Sequence, residues 1–442
     1  MSDIAGNAST ADLARAASRP QMARGLLRAA PWMAFGLALI LAPLLFSSGI
    51  SRTMMSLMGI MVVFALSYNM LLGQTGMLSF GHAVYYGLGA FCVVHAMNVV
   101  IRDGLPVPVV LIPLVGAAGG LLFGIIFGFV STRRGGTAFA MISLGLAELV
   151  ASSANILRGF FGGEEGITTN RTKLLPVLDL TFGPQLQVYY LIAAWCFLST
   201  LAMFAITRTP LGRMCNAVRE NAERTQFVGY DPQIVRYVAF CLSGLFAGLA
   251  GGLAAINFEI VNSTYVGLGL SGTVLLAAFI GGIGYFIGPV IGAVLVTYLQ
   301  VMLSDVTEIW QLYFGLLFIV IVLFAPGGIA GLLVMHAPLR RARALHVVLP
   351  SYLLALGPAL AAAGGAILLI ELAYRRLAKT GEDASMTVFG VSLDALHLWP
   401  WIVAAGLTLV GLALFRATWP RVASAWDQAS AMTVAPGRRL PR

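Results

Sequence analysis

The chain has 442 residues, of which 59% are hydrophobic and only 10% are charged, and its formal net charge is +9. A composition this apolar excludes a soluble domain and indicates a polytopic membrane protein. The basic residues are divided among several short loops, which excludes a nucleic-acid interface and fits attraction to anionic membrane lipid.

Apolar stretches long enough to cross a hydrocarbon core of about 30 Å recur along the chain. We predict an all-α, polytopic membrane helix bundle with about 10–12 hydrophobic spans and one or more broken or re-entrant helices. The first span lacks a signal-peptide cleavage pattern, so we expect it to be retained. The predicted spans are residues 31–50, 53–72, 80–101, 106–130, 137–157, 187–207, 235–256, 269–286, 288–303, 312–333, 350–371 and 399–416.

Composition and charge also predict three regions and an orientation. Residues 1–30 form a polar N-terminal tail, residues 31–335 the main membrane domain, and residues 336–442 an extension with about two additional spans. Placing the N-terminus in the cytoplasm puts most Arg and Lys residues on that side, as the positive-inside rule requires. We therefore predict a cytoplasmic N-terminus.

Glycines recur every fourth residue in three apolar segments. Such ladders let membrane helices approach closely, so we expect these segments to pack in the interior, although glycine is also generally common in membrane helices. Gly281, Gly282 and Gly284, followed by Pro289, predict either a break within the membrane or a plain cytoplasmic turn. The ladders are Gly116, Gly120, Gly124 and Gly128; Gly244, Gly248 and Gly252; and Gly284, Gly288 and Gly292.

Residues 208–234 form a charged loop between two long apolar runs. One apolar stripe at helical spacing predicts a short amphipathic helix, with Gly229 ending it in a left-handed cap. Asp231 and Pro232 suit the start of the following helix. By itself the pattern also fits a passive interfacial helix. The stripe consists of Leu211, Met214, Cys215, Val218 and Ala222.

Metal, cofactor and nucleotide chemistry have no sequence signature here. The four cysteines have no metal-like spacing, so we expect no metal site and no cofactor. A P-loop requires Gly-Lys-Ser or Gly-Lys-Thr, yet the two lysines, Lys173 and Lys379, do not follow glycine. No catalytic constellation is visible either, so we expect a transport subunit without its own ATPase and not an enzyme.

Five stretches resemble the permease subunits of branched-chain amino-acid ABC importers, in the same order over roughly residues 31–335. The most specific is the charged loop with the following span, TPLGRMCNAVRENAERTQFVGYDPQIVRYVAFCLSGLFAGLAGGL. The others are NMLLGQTGMLSFGHAVYYGLGAF, RRGGTAFAMISLGLAELV with FFGGEEGIT, LLAAFIGGIGYFIGPVIGA and FAPGGIAGLL. One departure is Asn221, where the family often has an acidic residue.

The resemblance implies the partners and the membrane. It implies uptake of branched-chain amino acids or similar small solutes in a bacterial plasma (inner) membrane. The expected partners are ABC ATPase subunits on the cytoplasmic face, a homologous second permease subunit and a periplasmic or extracellular substrate-binding protein. The ATPase would dock on the loop 208–234. Residues carried over for this coupling are Gly212, Ala217, Arg219, Glu220 and Gly229.

Candidate pathway residues are Ser79, His82, Tyr85 and Glu148. Glu148 lies in a predicted span, where an acidic group faces the bundle interior, an aqueous cavity or a structural partner, unless it reaches water at the helix end. For His82 we favour a structural hydrogen bond over proton transfer. Packing explains Ser79 and Tyr85 as well as contact with a solute does.

Two other transport functions stay open on the sequence. Related permeases carry urea or short-chain amides, which makes these solutes an alternative substrate class. An ion-coupled secondary transporter would need ionisable residues near the bilayer midplane, and Glu148 is almost the only one in the predicted spans.

Overall fold

The computed structural model describes residues 21–163, 165–176, 180–378, 385–388 and 391–433. Most of the predicted tail 1–30 therefore lies outside the described residues. Contacts between residues divide the chain into two units, Met1–Gly331 and Leu332–Arg442. Ten helical segments among the described residues are long and apolar enough to cross a membrane. The predicted all-α membrane bundle is thereby confirmed.

The helices of the first unit follow the hydropathy closely, with two short helices in the charged loop. In chain order they are α1 Gln21–Leu45, α2 Gly49–Thr75, α3 Ala83–Asp103, α4 Ile112–Ser131, α5 Thr137–Ile156, α6 Arg158–Phe161, α7 Gln185–Arg208, α8 Pro210–Glu220, α9 Ala222–Phe227, α10 Pro232–Phe258, α11 Leu268–Gly281, α12 Gly288–Val306 and α13 Trp310–Phe324. A further helix, α14 Gly328–Arg341, runs across the division between the units. The predicted span 312–333 is thus interrupted between Phe324 and Gly328.

The core of the first unit is the central helix α10 with α2, α3 and α4 around it. Two glycine ladders pack directly against each other, as expected. A Cβ on Gly248 would lie 2.6 Å from the Cα of Gly120, closer than a side chain allows. In the third ladder Gly288 and Gly292 pack on α11, but Gly284 lies in an open turn. Close backbone approach therefore replaces side-chain packing along these helices.

The bundle has two ends that the contacts define. At one end Gly73, at the end of α2, lies beside the α11–α12 turn, because a Cβ there would be 2.8 Å from the carbonyl of Ile283. We call this the loop end, since α8 and α9 also lie there. At the opposite end a two-stranded antiparallel sheet pairs β1, Ile167–Thr168, with β2, Ile260–Val261.

Arg171 ties the opposite end together. Its buried guanidinium donates hydrogen bonds to the carbonyls of Phe182, Ile256, Asn257 and Gly183. It also pairs with Glu259 at 3.5 Å. A buried charge is tolerated only when it is paired and hydrogen-bonded, and Arg171 is both. The loop before α7 is thereby fixed to the end of α10.

The second unit contains an antiparallel pair of long helices, α15 Leu345–Ala378 and α16 Leu398–Thr433. Small residues bring them together, since a Cβ on Gly365 would lie 2.6 Å from the amide nitrogen of Thr408. Between them is a hairpin of β3, Ser385–Val388, and β4, Val391–Asp394. Both helices are long and apolar enough to span a membrane.

Candidate functional site

The charged loop folds into α8 and α9, which are joined by one extended residue. Thr209 caps α8 by accepting from the amide of Gly212 at 3.4 Å, and Pro210 occupies its first turn. Asn221 has φ −158° and caps α9 by accepting from the amide of Arg224 at 2.9 Å. The prediction of one continuous helix through Ala222 was therefore wrong, because Asn221 ends one helix and begins the next.

The apolar stripe of the loop packs on the first turns of α10. Cys215 and Val218 are buried against Val235 and Ala239. The remaining stripe residues, Leu211, Met214 and Ala222, pack around them. Burial raises the pKa of the Cys215 thiol to about 11. The loop is therefore a structured platform attached to the central helix, and its polar faces remain exposed.

The residues carried over for coupling divide into two groups. Gly212 and Arg219 contact the bundle. A Cβ on Gly212 would lie 2.6 Å from the carbonyl of Ile206, so this glycine lets α8 turn tightly off α7. The guanidinium of Arg219 donates a hydrogen bond to the carbonyl of Gly73. Both residues therefore link α8 to spanning helices of the bundle.

Ala217, Glu220 and Gly229 lie on the outer side of the loop. Ala217 and Glu220 line a hollow of about 160 Å³ between α8 and α9. Gly229 has φ +95°, the left-handed conformation predicted for it, and has open space around it. The structure thus brings Ala217 and Glu220 together in one depression.

Sequence reasoning missed two exposed apolar residues beside this hollow. Phe227 is 89% exposed and Val228 is 71% exposed. Adjacent exposed apolar side chains offer contact area to a protein partner or to the membrane surface. Their position directly before the capping Gly229, outside the helical stripe, was the signal available in the sequence.

The first broken helix lies between α2 and α3, after residue 75. Gly76 ends α2 in the left-handed conformation at φ +71°. The chain then turns back along α2, because the carbonyl of Ser79 accepts from the hydroxyl of Tyr68 at 3.1 Å. The Nε2 atom of His82 lies 2.9 Å from the hydroxyl of Ser67. Residues 76–82 therefore re-enter the bundle, and α3 begins well inside it.

A second broken helix lies at the opposite end, after α10. Glu259 ends α10 in the left-handed conformation at φ +56°, and β2 follows. The chain then runs back into the bundle beside α3, where a Cβ on Gly87 would lie 2.7 Å from the carbonyl oxygen of Tyr265. The next helix, α11, has only 14 residues, about 21 Å at 1.5 Å per residue. Residues 259–267 therefore form a second re-entrant segment.

The helices that follow the two re-entrant segments, α3 and α11, meet in the interior. The amide of Ala83, the first residue of α3, donates to the hydroxyl of Ser271 in α11 at 3.0 Å. The amide of Phe80 donates to the hydroxyl of Ser143 in α5 at 3.0 Å. Irregular backbone within a membrane is tolerated where protein groups satisfy its polar atoms, and these serines do so. The predicted broken helices exist, but not at Gly281–Pro289, which is a turn at the loop end.

Three of the four candidate pathway residues belong to the first re-entrant segment and the start of α3. Ser79, His82 and Tyr85 are all buried. The Oγ atom of Ser79 and the Nδ1 atom of His82 have no partner among the described residues. Tyr85 packs edge-on against Phe240 of α10, with ring centroids 5.1 Å apart. The favoured structural hydrogen bond of His82 is present in the structure, to Ser67.

Glu148 is separate from this group. It lies on α5, where its side chain is exposed and makes no hydrogen bond or ion pair with any described residue. It is not near the helix end, since it is the twelfth of the 20 residues of α5. Within the described part of the chain, no cluster of three or more His, Cys, Asp or Glu residues could hold a metal ion.

The family described as "Branched-chain amino acid transport system / permease component" matches residues 51–326. The chain belongs to this family. It is therefore a transmembrane permease subunit of the ABC-importer type that the sequence resembles. The match includes both re-entrant segments and the charged loop. Membership implies an ATPase and a substrate-binding protein as partners in general, and does not favour the urea, amide or ion-coupled alternatives.

Curated relatives agree with this membership. The LivM permease protein of Escherichia coli K12 is 26% identical over 294 residues, covering 61% of this chain and 67% of LivM. The BraD permease protein of Pseudomonas aeruginosa is 25% identical over 287 residues, covering 60% of this chain and 90% of BraD. The guanosine ABC transporter permease NupQ of Bacillus subtilis is 32% identical over 123 residues, 27% of this chain and 37% of NupQ. No solved structure shows a significant match.

Proposed function

We propose that this permease takes up branched-chain amino acids or chemically similar small solutes, and that residues 31–335 form its translocation domain. The names of the LivM and BraD relatives support this substrate class. The extension, residues 336–442, adds two apolar helices to that domain. A separate ATPase supplies the energy, and a soluble binding protein delivers the solute.

The proposed orientation places the loop end in the cytoplasm of a bacterial cell, together with the N-terminus. The Arg-rich loops at that end support this orientation through the positive-inside rule. The ATPase then docks on the loop 208–234, at the hollow beside Ala217 and Glu220. Exposed Phe227 and Val228 provide apolar contact area next to it. The binding protein docks at the opposite end, where Arg171 holds the loop before α7.

One observation carries the proposed mechanism, the hydrogen bond from Arg219 to the carbonyl of Gly73. Gly73 lies in the last turn of α2, and the re-entrant segment 76–82 follows directly. A displacement of α8 by the ATPase is therefore transmitted through this hydrogen bond to the end of α2, where the re-entrant segment begins. Gly212 keeps α8 close to the end of α7, so that the platform moves with the bundle.

The first re-entrant segment would respond to this displacement because it follows the end of α2 directly. Residues 76–82 are held by the hydrogen bonds of Phe80, Tyr68 and His82, and α3 begins against Ser271. Broken helices inside a membrane bundle are a common location of transport sites. We assign Ser79, His82 and Tyr85 to the region that rearranges during passage of the solute, and Glu148 to a polar position of the pathway.

Reconstitution tests this function. The permease, its ATPase, its binding protein and its second permease are placed in proteoliposomes, and uptake of labelled leucine is measured with ATP inside or outside. Uptake that requires ATP on the side of the loop end and requires the binding protein is expected. Uptake driven by an ion gradient without ATP would contradict the proposal. Uptake of guanosine but not leucine would reassign the substrate and leave the coupling mechanism in place.

A further inference from the structure

The second unit contains a groove between its two long helices, with a volume of about 560 Å³. Ala355 and Ala359 of α15 lie along one wall, and Phe415, Trp419 and Trp426 of α16 lie along the other. The small residues on one side and the large aromatic residues on the other leave a space within the roughly 300–1,000 Å³ of ordinary ligand sites. We call this space the extension groove.

Aromatic contacts hold the walls of the extension groove in place. The imidazole of His336 in α14 lies 2.9 Å from the hydroxyl of Tyr352. The same ring packs edge-on against Trp426, with ring centroids 5.1 Å apart. Phe415 and Trp419 are in ring contact at 5.6 Å. A ligand would therefore meet a preformed surface and would not have to order these side chains itself.

The charge pattern of α16 indicates the depth of the groove in the membrane. Residues 398–415 carry no charge and cover about 27 Å at 1.5 Å per residue, close to the roughly 30 Å of a hydrocarbon core. Arg416 follows immediately, and the groove extends from Phe415 to Asp427. Tryptophan is typical of this level because its apolar ring carries an N–H donor. The groove therefore opens at the membrane–water interface.

The groove also presents hydrogen-bond donors that the protein itself leaves unpaired. The indole N–H groups of Trp419 and Trp426 donate to no other residue in the part of the chain that the structure describes. Arg416 lies on the same face of α16, two turns before Ala423, and its exposed guanidinium is likewise unpaired there. Indole and guanidinium groups donate and do not accept. A ligand of this groove must therefore offer acceptor atoms beside an apolar body.

The charge around the groove selects an anion. The start of α15 packs beside the end of α16, since Ala344 and Val348 cluster with Ala429. At this end of the helix pair, residues 332–352 and 415–433 contain five arginines and a single carboxylate, Asp427. The arginines are all exposed and form no ion pair with a described residue. They are Arg340, Arg341, Arg343, Arg416 and Arg421.

We propose that the extension groove binds an anionic phospholipid of the cytoplasmic leaflet. Its acyl chain lies between Ala359 and Phe415, and its ester and phosphate oxygens accept hydrogen bonds from Arg416, Trp419 and Trp426. A headgroup hydroxyl donates to Asp427. The other arginines attract the negative headgroup, as basic clusters beside membrane spans do. This inference concerns the extension and does not depend on the transported solute or on the coupling mechanism.

A helix of a partner protein fits the groove less well than a phospholipid does. The carbonyl groups of a helix are used in its own hydrogen bonds, so a docked helix would leave the donors of Trp419, Trp426 and Arg416 without acceptors. A phospholipid carries ester and phosphate oxygens next to an apolar chain. It therefore matches both the donors and the apolar walls of the groove.

Native mass spectrometry of the full-length chain in detergent tests the proposal with two probes, phosphatidylglycerol and phosphatidylcholine of identical acyl chains. We expect phosphatidylglycerol to bind about fivefold or more tightly than phosphatidylcholine, and Arg416→Gln to weaken it about fivefold. Arg421→Gln is the matched control. Arg421 is exposed on the same helix but lies two residues from both Trp419 and Ala423, which places it on another face. Its affinity should stay unchanged.

A second variant fills the groove without changing its charge. Ala359→Trp should abolish binding of phosphatidylglycerol, because the indole occupies the space of the acyl chain. Cross-linking of the wild-type chain with a diazirine-labelled phosphatidylglycerol provides the same test if that variant does not fold. The labelled peptides should contain residues 352–359 or 415–427.

Four outcomes would overturn the proposal. Equal affinity for the two lipids would refute selection of an anionic headgroup. Equal losses in the Arg416 and Arg421 variants would show general attraction by surface charge. Cross-links confined to other helices, or full binding by Ala359→Trp, would exclude the groove as the site. A co-purified protein that occupies the groove in place of lipid would identify a different occupant.

Discussion

Replacing Arg219 by Gln should uncouple ATP hydrolysis from transport while the ATPase stays bound. The change removes the charged donor that bonds the carbonyl of Gly73, and so detaches α8 from the base of the re-entrant segment. A hydrogen bond to a charged group contributes about 1.5–3 kcal/mol. At about 1.4 kcal/mol per tenfold, this equals roughly 10- to 150-fold. Because Arg219 is also partly solvated, we expect the lower end, about a tenfold loss of uptake per ATP.

The number of solute molecules taken up per ATP hydrolysed is measured in proteoliposomes that contain the complete importer. Binding of the ATPase is measured separately by co-purification. Arg213→Gln on the same helix is the matched control, since Arg213 is exposed and its side chain has no hydrogen-bond or ion-pair partner among the described residues. Its ratio should stay unchanged. Loss of the ATPase from the Arg219 variant would show that Arg219 serves docking, and an unchanged ratio would show that the bond to Gly73 transmits nothing.

Three further predictions follow from the packing. Gly248→Leu should prevent recovery of folded protein in detergent, because a Cβ at this position would already lie 2.6 Å from the Cα of Gly120. The control variant Gly315→Leu should be recovered normally, since a Cβ there would have nothing within 4 Å. A maleimide at pH 7.5 should label a cysteine introduced as Asn216→Cys about 100-fold faster than it labels the native Cys215. The raised pKa of Cys215 keeps this thiol largely protonated below about pH 11, and the protonated thiol reacts slowly. Equal rates would mean that α8 separates from α10. Removing residues 340–442 should leave ATPase docking intact in a pull-down, and loss of the ATPase would show that the extension supports the loop end.

Local chemistry made much of the charged loop predictable from its sequence. Asp231 accepts from the amide of Gln233 at 2.8 Å, and Gly229 takes the left-handed conformation expected of it. The apolar stripe predicted helical structure, which α8 and α9 provide in two pieces, and the residues of that stripe are the ones that pack on α10. Such features depend on residues only a few positions apart, which is why periodicity and capping patterns predict them.

The apolar composition and the lengths of its runs by themselves determined that this chain crosses the membrane many times, and the order of its motifs identified the family. The tertiary structure decided where the helices break. Ser143 holds residues 76–82, Ser271 holds the start of α3, and residues 259–267 pack against α3, and all of these contacts join residues distant in sequence. It also decided that Glu148 points outward. Hydropathy records how apolar a segment is, but not which neighbour satisfies its backbone or which face it buries, and those depend on contacts between distant helices.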